Sequence, residues 1–136
     1  MIREIKFRGK GKYSGIWVFG DYGHNDVRVM ICDDFLHDVI PETVGQYTGL
    51  KDKNRMKVFE GDIVKTKYGT TFEVCFGLYL PISLKEYLDP YVVVEQKIVG
   101  FYAKDFFGEE FVLPNSKAYE VIGNVHDNPE LLEVEK

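Results

Sequence analysis

The sequence predicts a mostly β protein. The expected form is a small barrel-like domain with a longer hairpin around residues 91–113 and a short C-terminal helical turn. Two observations carry this. Short apolar or alternating runs recur along the chain, separated by Gly, Asn, Asp and Pro turn signals. Aromatic residues make up 15%, with 10 Phe and 9 Tyr, whose rings suit a pleated, half-buried surface. At 136 residues with 45% apolar content, the chain is expected to form one domain, 1–136, around one core.

Glu4-Ile5-Lys6-Phe7-Arg8 alternates, which reads as a strand with Ile5 and Phe7 inward, ended by Gly9 and Gly11. Ile16-Trp17-Val18-Phe19 is apolar on both faces, the mark of a central strand. Val27 to Ile31 forms a third strand, entered through Gly23, Asn25 and Asp26. Asp34 to Ile40 fits either a short strand or a helical turn, and Pro41 holds its neighbour extended. Thr43 to Thr48 reads as a strand. Lys51 to Arg55 is a polar turn with Asn54 suited to a left-handed conformation.

Lys57-Val58-Phe59 is extended, and Asp62 to Tyr68 with Thr71 to Phe76 make a hairpin around Gly69. Ser83-Leu84-Lys85-Glu86 fits a capping box, with Asp89-Pro90 as the stop. Tyr91 to Tyr102, Phe111 to Leu113 and Tyr119 to Ile122 are further strands. Asn128-Pro129-Glu130 opens the final helical turn, with Asn128 able to accept a first-turn amide.

Composition narrows the function classes. The net charge of −5 argues against nucleic acid as the favoured partner. Charge is uneven, however. Arg3, Lys6, Arg8, Lys10 and Lys12 face only Glu4 in residues 1–12, whereas residues 105–136 hold eight acids against Lys117 and Lys136. Such asymmetry could let the N-terminal strand of one copy meet the C-terminal segment of another; two solvated faces of one monomer are the simpler and favoured explanation. Two cysteines, Cys32 and Cys75, are too few for a disulfide scaffold and read as free thiols. With no apolar run long enough to span a bilayer and no signal-peptide stretch, no membrane association is expected and the cytoplasm is the expected compartment.

The densest motif runs from Val44 through Gly45-Gln46-Tyr47-Thr48-Gly49-Leu50-Lys51-Asp52-Lys53-Asn54 and resumes at Val58-Phe59-Glu60-Gly61-Asp62-Ile63-Val64. Gly61 suits positive φ between two strands, and the Asp62 carboxylate can bond turn amides. Together with Lys6-Phe7-Arg8-Gly9-Lys10, Trp17 and the closing run Glu120 to Leu132, this motif resembles the YopX family of bacteriophage and prophage proteins. The resemblance covers the full chain. It implies a phage or prophage origin and self-assembly, and it implies no reaction. One point differs: the family has Asn-Gly in the central turn, where this chain has Asn54-Arg55. Arg tolerates positive φ less readily than Gly, which counts against a tight two-residue turn.

Each polar cluster has two explanations. His126, with Asp127 or Asp62, can be drawn as the base of a hydrolytic enzyme, or as a strand exit and helix cap. Glu60 and Asp62 can act as an acid–base pair, or with Asp52 bind a divalent ion, or simply build a turn, which is favoured. His24, Cys32 and His37 could gather around zinc, but they lack the paired spacing a zinc site favours, and no metal is expected. Arg8 and Lys10 with Trp17 can form a stacking and phosphate-binding face, or a lysine-protected edge strand. The expectation is a non-enzymatic phage or prophage accessory protein with no cofactor and no metal. It works by self-assembly into a homo-oligomer or by binding a protein, with a nucleic-acid-binding barrel as the alternative. The candidate binding residues are Arg8, Lys10, Trp17, Gln46, Glu60, Asp62 and His126.

Overall fold

The computed structural model describes residues 4–80, 98–113 and 118–132. Among these described residues eleven strands lie in two antiparallel sheets, so the mostly β expectation is met, and neither sheet closes into a barrel there. Each sheet belongs to its own compact unit. One comprises Met1–Lys51 with Lys57–Phe59, the other Asp52–Met56 with Glu60–Lys136.

The first unit holds β1 (Phe7–Lys10), β2 (Trp17–His24), β3 (Val29–Cys32), β4 (Leu36–Asp38), β5 (Gly45–Lys51) and β6 (Lys57–Phe59), ordered β4-β3-β2-β1-β5-β6. The strand from Trp17 is central, as its two-sided apolar pattern requires. The ambiguous segment before Pro41 resolves as strand β4, followed by a 3-10 turn at Pro41–Thr43. The N-terminal strand departs from expectation. It is an interior strand between β2 and β5, not an edge, and it starts later, leaving Ile5 63% exposed. Nor does Gly9 end it. A Cβ at Gly9 would sit 3.0 Å from Val39, so the glycine lets buried Val39 close over the strand.

The second unit holds β7 (Asp62–Thr66), β8 (Thr71–Tyr79), β9 (Ile98–Lys104), β10 (Glu110–Val112) and β11 (Tyr119–Asn124), ordered β10-β9-β8-β7-β11. Ile63, Val64, Phe72, Val74, Ala103 and Tyr119 form its buried core. Gly69, at φ 85°, closes the β7–β8 hairpin as expected. The β9–β10 hairpin turns at Asp105, whose Oδ1 accepts the amides of Phe107 and Glu109, with Gly108 at φ 81°. This is a three-residue loop with a left-handed last residue. The capping box at Ser83 and the strand start at Tyr91 lie outside the described residues.

Strand β8 changes its buried face part-way. Phe72 and Val74 are buried, but two residues further on the same side Phe76 and Leu78 are exposed, while Cys75 and Tyr79 on the other side are buried. Alternation alone put Cys75 on the more open side. The switch falls where the neighbours stop. β7 pairs β8 only as far as Glu73, and β10 pairs β9 only as far as Tyr102. Beyond that, among the described residues, β8 and β9 continue as a two-stranded ribbon, from Phe76↔Phe101 to Tyr79↔Ile98. Two-stranded ribbons twist more strongly than wide sheets, which turns the alternating faces away from the core.

Candidate functional site

The family-like motif proves to be a fastening. Asp52 is 4% exposed, and its carboxylate takes three backbone amides: Oδ1 accepts from Asn54 at 2.8 Å and Met56 at 2.9 Å, and Oδ2 from Val121 on β11 at 2.8 Å. The Lys53 amide donates to the Tyr119 carbonyl at 3.0 Å. The loop repeats the Asp105 design, with the Asp52 amide bonded to the Met56 carbonyl. Its left-handed residue is Arg55, at φ 66°, not Asn54. Thus the turn has three loop residues, and the backbone strain falls on the arginine that stands where the family has glycine.

One further bond ties the same motif to the chain's closing run, and that run then holds its own turn. Gly61, at φ 92°, donates its amide to the Val74 carbonyl and accepts from the Val125 amide at 2.9 Å. Asn124 Oδ1 accepts the amides of His126 at 3.0 Å and Asp127 at 2.9 Å. Asn128 does not cap the helical turn with its side chain. Its Oδ1 turns back to the Asn124 amide at 3.4 Å, and its carbonyl accepts from Leu131 in the 3-10 turn Pro129–Leu132. A Cβ on Gly123 would stand 2.6 Å from that Oδ1, so this close approach requires glycine.

Of the seven candidate residues, Arg8, Lys10, Trp17 and Gln46 fall in the first unit and Glu60, Asp62 and His126 in the second. Arg8 is 8% exposed, with its guanidinium 4.8 Å from the Trp17 ring centre and 5.0 Å from that of Phe59. Both aromatic faces therefore serve Arg8 as cation–π partners instead of lying open to a base. The Lys10 amide donates to Thr43 Oγ1 at 2.9 Å, and Gln46 sits opposite Phe7 on β5. Asp62 is buried at the start of β7, opposite Asn124. Glu60 is half-buried in the turn before it, and His126 is exposed. His37 Nε2 lies 3.0 Å from Asp33 Oδ1, and the Phe35 amide, then His37, hold the Asp33 carboxyl below its usual range. Among the described residues, no three His, Cys, Asp or Glu side chains gather as metal ligands would. Burial pushes the Cys75 thiol up to about 12, so it stays protonated and a poor nucleophile near neutral pH.

The surface that sequence reasoning missed is the β8–β9 ribbon. Phe76 faces Phe101 and Leu78 faces Val99 across it, with the two phenyl rings 4.9 Å apart. All four share one face, where Leu78 is 61% and Val99 65% exposed. Behind them Tyr79 stacks on Tyr102 at 4.8 Å. Neither 74–80 nor 98–103 contains a charged residue. The lack of charge was visible in the sequence, but such runs read as core; only the end of the neighbouring strands marks this one as surface.

These features define an all-β protein of two antiparallel sheets whose densest motif holds turns in place. The model of the YopX protein family matches residues 4–133, and the chain belongs to that family. The fold is shared with protein EF1440 from Enterococcus faecalis, a crystal structure that is 24% identical. The TM-score is 0.52, with 96% of this chain and 99% of that one covered. Comparison with curated proteins gives no match.

Proposed function

We propose that this protein is a non-enzymatic phage or prophage accessory protein of the cytoplasm that works by self-association through the face of the β8–β9 ribbon. The observation that carries the reading is the apolar face of Phe76, Leu78, Val99 and Phe101, the first three exposed and Phe101 half-buried, on a stretch of ribbon, 76–79 with 98–101, that contains no charge. A two-stranded ribbon is marginal in water by itself and gains most when its apolar face is covered. A second copy fits that face. In a chain of net charge −5, an uncharged patch is where two copies can meet without setting like charges together, and a two-fold axis pairs the patch with itself.

Light scattering across a concentration series tests this. A mass that rises with concentration is expected, reverting to that of a monomer in Leu78→Glu. A monomer at every concentration, or an assembly that Leu78→Glu leaves intact, overturns the proposal. The nucleic-acid reading gains no support from Arg8, whose guanidinium already occupies the neighbouring rings. The hydrolytic reading gains none from buried Asp62 and exposed His126.

A further inference from the structure

The second unit carries a cleft of about 550 Å³, within the range of small-molecule sites. Phe106 and Phe107 from the Asp105 turn, Ile122 of β11, and Leu131 and Leu132 of the C-terminal 3-10 turn supply apolar walls, with Lys65 of β7 as the cation. The two phenylalanines are 53% and 76% exposed. The turn does not require them. The Asp52 loop has the same hydrogen-bonded geometry and carries Lys53 and Asn54 in the corresponding positions. Two aromatic rings are thus held half or more in water on a rigid turn, at the rim of a concave surface.

Charge narrows the ligand further. The Lys65 side chain makes no ion pair or hydrogen bond among the described residues. Glu130 is the acid beside Lys65 among the described lining residues, and Glu120 stands opposite Lys65 on β11, so no excess positive charge favours a multiply charged anion such as a phosphate ester. We infer that this cleft binds a small amphipathic monoanion: an aromatic or aliphatic body against Phe106, Phe107 and Leu131, and one carboxylate or sulfonate on Lys65. Lys65 is exposed, so its ammonium is open to such an anion at the edge of the apolar walls.

The test uses the full chain and 1-anilinonaphthalene-8-sulfonate, an aromatic monoanion whose emission rises in apolar surroundings. A saturable enhancement with one dye per chain is expected. Lys65→Ala should weaken it about tenfold, the worth of one charge-assisted contact, and Lys65→Arg should restore it. Phe107→Ser, at an exposed position that leaves the fold intact, should weaken it comparably. Leu78→Glu should leave it unchanged, which separates this cleft from the ribbon face. The inference is overturned by the absence of saturable binding, by wild-type affinity in both Lys65→Ala and Phe107→Ser, or by loss of binding in Leu78→Glu.

Discussion

Replacing Asp52 with alanine removes one acceptor group from three backbone donors at once. A hydrogen bond to a charged acceptor contributes about 1.5–3 kcal/mol. The amides of Asn54 and Met56 belong to an exposed loop and can turn to water, so each loses the lower end or less. The Val121 amide sits in β11, two residues from fully buried Tyr119, on a half-buried residue that turns to water less readily. A total of about 3 kcal/mol follows, a large part of the roughly 5–15 kcal/mol that holds a typical domain folded. Asp52→Asn keeps one accepting oxygen and should cost about half as much. Arg55→Gly should move stability the other way. Relieving a left-handed arginine gains about 1 kcal/mol, and the extra freedom of glycine in the unfolded chain returns part of it. Urea unfolding followed by circular dichroism reads the free energies, and hydrogen exchange of the Val121 amide reads the fastening locally. If Asp52→Ala stays within about 0.5 kcal/mol of the wild type, or Val121 keeps its protection, the motif is not the fastening described.

Two other expectations test the rest of the fold. Gly20 and Gly23 lie on the same strand, yet a Cβ on Gly20 would overlap the Cys32 carbonyl oxygen, whereas one on Gly23 meets nothing within 4 Å. Gly20→Ala should therefore cost about 2 kcal/mol or more and Gly23→Ala within about 0.5 kcal/mol, read by Trp17 fluorescence in urea; equal effects would refute the close approach. At alkaline pH, burial raises both the Cys75 thiol and the Tyr119 hydroxyl to about 12, with the Asp52 charge adding to the Tyr119 shift. The folded state keeps these protons where the unfolded chain gives them up. The stabilisation is complete below the unfolded values near 9 and 10, and it falls as pH rises toward 12, by about 1.4 kcal/mol per pH unit for each group. Urea midpoints at pH 8, 10 and 11 should show that decline, shallower in Cys75→Ala, and a flat profile would contradict it.

The local chemistry of the turns determined much of this protein in advance. Gly69, Gly61, the proline at 129 and the alternating runs around Ile63 and Tyr119 marked turns and strands that the structure contains, because positive φ, a fixed φ and side-chain alternation are properties of neighbouring residues. The central place of the strand from Trp17 was legible for the same reason. Tertiary structure decided what depends on distant neighbours. Arg8 looked like a solvated edge cation and is buried between Trp17 and Phe59, since the distant strand β5 pairs the side of β1 that β2 leaves open. Asp52 looked like one more polar turn residue, and only the approach of β11 gives its second oxygen a partner. Phe76 shares the alternation of Phe72 and Val74 and so reads as core, because an apolar alternation does not say where the adjacent strands end. Burial is set by what packs across a face, and no short stretch of sequence contains that information.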